Sequence, residues 1–178
     1  MSVPAMSVPT PTVRRAVPQD ANRLYELSLR AIAESAAAHY TAKQLAAWSR
    51  RRSLDGHAQM IDQTETFVAL VAGRVAGFAN VALRPVGQLH RGEVDQLFVG
   101  PGHGGRGVAR LLLTAVENAA RADEVEELRT HASWRAVPVF ERLGYRRVEV
   151  ETVRLEDQTL SRVRMHKSLS GLGSGAAD

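Results

Sequence analysis

Val94-Asp95-Gln96-Leu97-Phe98-Val99, followed by Gly100-Pro101-Gly102-His103-Gly104-Gly105-Arg106-Gly107-Val108-Ala109-Arg110-Leu111-Leu112-Leu113, is the stretch on which the fold turns. It reads as a short strand, a glycine-rich turn and the first turns of an amphipathic helix. Glycines 104, 105 and 107 permit positive φ and let a ligand approach the backbone without Cβ interference. A helix that begins at such a turn points its unpaired N–H groups and positive dipole end at whatever the turn encloses. That geometry binds phosphate.

Three kinds of phosphate loop compete for this stretch. Gly102 and Gly107 have the spacing of a nucleoside-triphosphate loop, but Val108 and Ala109 stand where its lysine and hydroxyl residue belong, so that reading fails. Gly102-His103-Gly104-Gly105-Arg106-Gly107 matches the dinucleotide pattern G-x-G-x-x-G. That motif belongs to the first strand–helix unit, with an acidic residue about 20 positions on. Here it comes after more than half the chain, and the next strand candidate, Leu128 to Ala132, ends without an acid. A dinucleotide-binding enzyme is the weaker reading.

Gly104-Gly105-Arg106-Gly107-Val108-Ala109 resembles the [RQ]-x-x-G-x-[GA] signature of the GNAT superfamily of acetyl-CoA-dependent N-acetyltransferases. Gly107 and Ala109 fit it; Gly104 departs from the usual Arg or Gln. Gln96 to Val99 is similar to the family's strand before the loop. Ala132-Ser133-Trp134-Arg135-Ala136-Val137-Pro138-Val139-Phe140-Glu141-Arg142-Leu143-Gly144-Tyr145 resembles its later helix, and Val75-Ala76-Gly77-Phe78 its third strand. The ordered set spans residues 13 to 168.

The chain has 178 residues, 44% apolar and 24% charged, which suits one globular domain. A net charge of +4 permits an anionic ligand. The basic residues are scattered and only 5% of residues are aromatic, so the basic stripe with stacking aromatics of a nucleic-acid binder is missing. Without cysteine there is no disulfide, thiol nucleophile or thiolate metal site. No apolar run reaches the length of a membrane span and no signal peptide is recognisable, so the expectation is a cytoplasmic protein without membrane or nucleic-acid partners. Residues 1–12, with their repeated Met-Ser-Val-Pro, read as a flexible leader, 13–169 as the domain, and the Gly/Ser/Ala-rich 170–178 as a disordered tail.

Periodicity places the elements. Val13 to Val17 reads as a strand, and Asp20 as the cap of a helix with Leu24, Leu27, Ala31 and Ile32 inward. Thr41-Ala42-Lys43-Gln44 is a capping box opening a second helix. Thr66 to Val71 and Arg74 to Leu83 form a hairpin, and Glu93 to Val99 the fourth strand. Val108, Leu112, Val116 and Ala119 define the buried face of the third helix. Leu128 to Ala132 is a strand; Ala136, Val139, Phe140 and Leu143 mark a fourth helix, with Pro138 making its first turn irregular. Tyr145 to Leu155 and Leu160 to Leu169 close as a hairpin. The order β-α-α-β-β-β-α-β-α-β-β suits the fold that the resemblance implies: α+β in three layers, a mixed, largely antiparallel central sheet with helices on both faces.

The resemblance implies transfer of an acetyl group from acetyl-CoA, as co-substrate, to a primary amine. In the family a backbone N–H of the strand before the loop meets the developing oxyanion; Phe98 or Val99 supplies it here. The same strand, Leu97 to Val99, splays from its neighbour to admit the pantetheine arm. The amides of Gly104, Gly105, Arg106, Gly107, Val108 and Ala109 hold the pyrophosphate, with Arg106 as an extra cation. Glu93 and Asp95, two apart on a strand and so on one face, are the candidates for the base. Ser133 is a helix cap that also contacts the cofactor. Phe140 stands where the family often has a tyrosine acid, and as a phenyl ring beside the thioester it donates no proton. The histidines rank lower: His39, with Tyr40, falls at the implied acceptor entrance, His90 and His131 read as surface or structural residues, and His103 beside the loop is either a phosphate contact or a solvent-exposed loop residue. No metal-ligand spacing is present. A non-catalytic acyl-CoA sensor of the same fold is the alternative. The acceptor is an unidentified amine, and the protein a monomer or homodimer.

Overall fold

Strands Glu65–Val71 (β2) and Arg74–Ala82 (β3) are buried along almost their whole length, the mark of strands covered on both faces. The computed structural model describes residues 8–170. The expected leader lies outside the described residues up to position 7, and the expected tail from position 171. The remaining strands are Thr12–Arg15 (β1), Glu93–Val99 (β4), Glu127–Ser133 (β5), Arg146–Leu155 (β6) and Gln158–Ser168 (β7). They form one sheet in the order β1-β2-β3-β4-β5-β7-β6. Every neighbouring pair is antiparallel except β4 and β5. The sheet is therefore mixed and largely antiparallel, as expected, and it excludes the doubly wound parallel sheet of a dinucleotide enzyme.

Helix Val108–Ala122 (α4) lays Val108, Leu112 and Val116 on Ala79, Val81 and Val94. Gly77 allows this close approach: a Cβ there would stand 3.1 Å from Val108 and 2.7 Å from the Phe98 carbonyl. On the opposite face Leu24 and Leu27 of helix Ala21–Arg30 (α1) meet Val68 and Phe78. The capping box at Thr41 opens helix Ala42–Arg50 (α2): Thr41 Oγ1 accepts from the Gln44 N–H at 3.2 Å, and Gln44 accepts from the Thr41 N–H at 2.9 Å.

Two local features differ from expectation. Asp20 does not cap α1; its carboxylate accepts from the Val17 N–H at 2.8 Å and grips Arg14 at 2.7 and 3.0 Å, closing a tight turn at Pro18–Asp20. The Arg14 hydrogen bond holds the Asp20 carboxyl below its ordinary value. A further helix, Leu54–Gln63 (α3), begins at Ser53, whose Oγ accepts from the Gly56 N–H at 3.0 Å. Its periodicity is weak because only His57 and Met60 are buried, and packing under α1 decides it. His57 substitutes for an apolar residue: its Nδ1 lies 2.7 Å from the Ser53 carbonyl and its ring 5.9 Å from that of Phe78. The last helix, Val137–Arg142 (α5), is a short element with Pro138 in its first turn.

Candidate active site at the split between two strands

β4 and β5 pair only at Glu93↔Arg129 and Val94↔Thr130, then separate. A bulge starts the separation. β3 pairs Asn80 with Gln96 but Val81 with Val94, leaving Asp95 as the extra residue, and such bulges bend a strand. The fully buried Asn80 replaces the missing ladder partner: its Oδ1 accepts from the Gln96 N–H at 2.9 Å and its Nδ2 donates to Thr64 at 3.1 Å. Thr130 Oγ1 donates to the Val94 carbonyl at 2.9 Å, sealing the last rung before the split.

The split leaves backbone donors without strand partners. Gly100 N–H donates to Ala76 at 2.7 Å and Gln96 N–H to Asn80, so β4 gives its even-numbered N–H groups to the β3 side. With Phe78 opposite Phe98, that alternation commits Phe98, and turns the Leu97 and Val99 N–H groups toward the gap. Phe98 is thus removed as an oxyanion donor, while Val99 keeps the required direction and Leu97 gains it.

Two cavities open from the gap. One, of about 600 Å³, is lined by Leu97, Phe98 and Val99, by Gly104, Gly105, Gly107, Val108 and Ala109, and by Ser133. Arg106 and Phe140 are not part of its lining. Gly107 adopts φ 75°, a left-handed conformation that only glycine takes readily, and starts α4. The N–H groups of 104 to 109 have no acceptor among the described residues. A Cβ at Gly104, Gly105 or Gly107 would meet nothing within 4 Å, so the cradle opens outward. Arg110, Arg135 and Arg142 line the cavity and form no ion pair among the described residues. Sequence reasoning missed all three: Arg110 and Arg142 lie on α4 and α5, and Arg135 in the turn before α5. His103 also lines this side, with a buried Nδ1 that finds no partner.

The second cavity, of about 430 Å³, lies on the other side of the gap and shares Trp48, Leu97, Phe98, Ser133 and Ala136 with the first. It contains Glu93, Asp95 and Phe140, so the two candidate bases are brought together there. The bulge nevertheless gives them different surroundings. Glu93 is 8% exposed, and its Oε2 accepts from the His90 N–H at 2.9 Å; Asp95 is exposed. Phe140 is 2% exposed and packs edge-on against Tyr145, with ring centres 4.9 Å apart, so it belongs chiefly to the core. Ser133 Oγ accepts from the Ala136 N–H at 3.3 Å in the turn before α5. Tyr40 lines this cavity, accepting from the Trp134 N–H at 3.0 Å and donating to the Ser161 carbonyl at 2.9 Å. Burial pushes its phenol above its ordinary value. His39 is exposed and lines neither cavity.

His131 holds a more central place than its sequence rank suggested. Its Nδ1 lies 2.5 Å from Glu151 Oε1, and its Nε2 lies 3.7 Å from Glu93 Oε1. Arg162 Nε donates to the same Glu151 oxygen. The result is a row, Arg162–Glu151–His131–Glu93, running across β7, β6, β5 and β4. Burial raises the Glu151 carboxyl, but hydrogen bonds from Arg162 and His131 outweigh it and hold the group below its ordinary value. The Nδ1 of His131 thus meets Glu151, and its Nε2 faces Glu93. Among the described residues no cluster of histidine and carboxylate side chains has the geometry of a metal site.

The glycine cradle, the split strand and the flanking helices define an acyl-CoA-type transferase fold, and comparison with known proteins places it. The family model described as an acetyltransferase (GNAT) domain matches residues 36–169. The chain is similar to the uncharacterized N-acetyltransferase YafP of Escherichia coli (strain K12), at 32% identity over 143 residues, 79% of this chain and 85% of YafP. A crystal structure of a GCN5-related N-acetyltransferase from Rhodopseudomonas palustris superposes with a TM-score of 0.80 at 28% identity, covering 92% of this chain and 99% of that one. YncA of Salmonella typhimurium, solved with its cofactor acetyl-CoA, gives 0.68 at 19% identity, covering 95% and 99%. This chain belongs to the GNAT family of N-acetyltransferases, enzymes of the acyltransferase class. Among the described residues no helix is long and apolar enough to cross a membrane.

Proposed function

We propose that the protein transfers an acetyl group from acetyl-CoA to a primary amine by direct attack across the β4–β5 split. The observation that carries this reading is the meeting of two unlike cavities at Leu97 and Phe98. One side offers unpaired backbone donors and arginines, which suits the phosphates of coenzyme A. The other offers a buried carboxylate within reach of an imidazole, which suits removal of a proton from an amine. Acetyl-CoA supplies the activated acyl group and a thiolate leaving group.

The residues divide the work as follows. Gly104 to Ala109 present N–H groups to the pyrophosphate, and Arg110, Arg135 and Arg142, which line the cavity where Arg106 does not, add charge neutralisation. Leu97 and Val99 aim N–H groups at the gap, where negative charge develops on the carbonyl oxygen. Glu93 is the base. The His90 N–H stabilises and orients its carboxylate, leaving Oε1 for the amine proton. His131 Nε2 takes that proton onward, and the imidazolium so formed sits between Glu93 and Glu151. Asp95, exposed beyond the bulge, is the weaker candidate. Phe140 is a packing residue, and the thiolate, with a conjugate acid near pKa ~8.5, takes its proton from water.

The test is release of free thiol from acetyl-CoA in the presence of a panel of primary amines. Amine-dependent release supports the reading. Saturable binding of acetyl-CoA without thiol release from any amine sinks it in favour of a sensor or scaffold of the same fold.

A further inference from the structure

Three arginines line the acceptor-side cavity, and two have evident roles. Arg162 is paired with Glu151, and Arg51 lies exposed at the rim. Arg52 is neither paired nor exposed. It directly precedes Ser53, the cap of α3, and is partly buried. Its guanidinium makes no ion pair and no hydrogen bond among the described residues. Its Nε is sealed from water without an acceptor. Burial pushes the group below its usual value, and nearby Asp95 only partly opposes this. Gln96, in the same cavity, has a buried Oε1 that also lacks a partner, and its Nε2 makes only a long contact of 3.4 Å with Asp95.

A partly buried guanidinium whose Nε is sealed from water without an acceptor is unfavourable, and an unmatched amide oxygen in the same cavity adds to the penalty. Folding alone does not repay either; a ligand that brings an anion does. We infer that the acceptor is a zwitterionic amine, whose carboxylate docks on Arg52 while its amino group lies against Glu93. This deepens the acetyl-transfer reading and rests on it for the amine half. A carboxylate fits better than a phosphate because its plane matches the guanidinium fork and because a dianion would meet repulsion from Asp95. A polyamine would set positive charge against Arg51 and Arg52. A cavity of about 430 Å³ suits a molecule of amino-acid size.

The experiment has two arms on the full chain. In the first, thiol release is followed with L-alanine, L-methionine, L-glutamate and β-alanine, each against its carboxamide. Wild type is expected to favour each acid by about 10–100-fold in kcat/KM, chiefly through KM, the range expected for a charged hydrogen-bonded contact. Arg52→Gln should bring acid and amide to near equality, and Arg52→Lys, which keeps the charge but loses the fork, should fall between them. In the second arm coenzyme A replaces acetyl-CoA, so no turnover occurs, and the same compounds are tested for thermal stabilisation. The acids should stabilise wild type and Arg52→Lys, and not Arg52→Gln. Carboxylate-selective, Arg52-dependent stabilisation without any thiol release supports the docking and overturns the transfer reading instead. Equal use or equal binding of acids and amides by wild type overturns the inference, as does an Arg52→Gln protein that keeps the preference. In either case Arg52 is then a structural neighbour of Asp95.

Discussion

The two sides of the β4–β5 split are built from different parts of the chain's chemistry. The 600 Å³ side is made mainly from backbone: N–H groups of a glycine turn, a helix terminus and apolar walls. The 430 Å³ side is made mainly from side chains drawn from α2 and four strands, several of them charged. Backbone donors at a turn serve any ligand with the same phosphate handle, whatever the partner. The first side is therefore built from features local in sequence, and the second from residues that only the fold brings together.

Changes on the two sides should separate in their effects. The largest concerns chemistry on the side-chain face. Glu93→Gln should lower kcat by about 10²–10⁴, while acetyl-CoA still raises the melting temperature as in wild type. A near-normal kcat would move the base to Asp95 or His131. Next comes the backbone face. Acetyl-CoA at 100 times its dissociation constant should add about 2.7 kcal/mol of stability. Gly107→Val should abolish that gain, by forcing a β-branched residue to φ 75° and by filling the cradle. Should the valine protein keep the full ligand-induced shift, the cradle does not hold the cofactor.

Smaller effects test the boundary between the sides. Asn80→Ala leaves the Gln96 N–H without its acceptor and should destabilise the apoprotein by about 1–3 kcal/mol. If Asn80 holds the bulge, the variant should lose activity without losing acetyl-CoA binding, measured by melting and thiol release on one preparation. Glu151→Gln, one step removed from the reacting atoms, should cost about tenfold in kcat, the low end for a charge-assisted hydrogen bond. Because the folded-state Glu151 carboxyl lies below its ordinary value of 4.5, its stabilisation is fully present above that pH and is lost as the pH falls through the folded value. The difference in melting temperature between wild type and Glu151→Gln should thus be level from neutral to about pH 5 and shrink in more acidic buffer.

The same contrast explains what was legible in the sequence. The strand Glu93–Val99, the glycine turn and α4 were readable because they depend on local periodicity and on residues that favour turns. The helix at Leu54–Gln63 was not, because His57 does an apolar residue's work once its Nδ1 is satisfied by Ser53. The bulge was not, because the three-residue step from Val94 to Leu97 that breaks strand alternation is hidden by the continuous apolar run Leu97-Phe98-Val99. Of the two oxyanion donors read from sequence, Phe98 or Val99, the alternation of β4 commits Phe98 to β3, leaves Val99 facing the gap and adds Leu97. The row Arg162–Glu151–His131–Glu93 joins residues 11 to 38 positions apart whose meeting depends on the register of β5, β7 and β6. Pairing His131 with Arg164 and Glu151 with Arg162 sets that register, and no local spacing encodes it.

A crystal structure of the protein with acetyl-CoA tests most directly that the β4–β5 split is the place of transfer. The pyrophosphate is expected within about 2.7–3.2 Å of N–H groups from 104 to 109. The thioester oxygen should lie at the same range from the Leu97 or Val99 N–H, with the acetyl group facing Glu93. A cofactor seated outside the split, or a thioester turned away from both N–H groups, would contradict it.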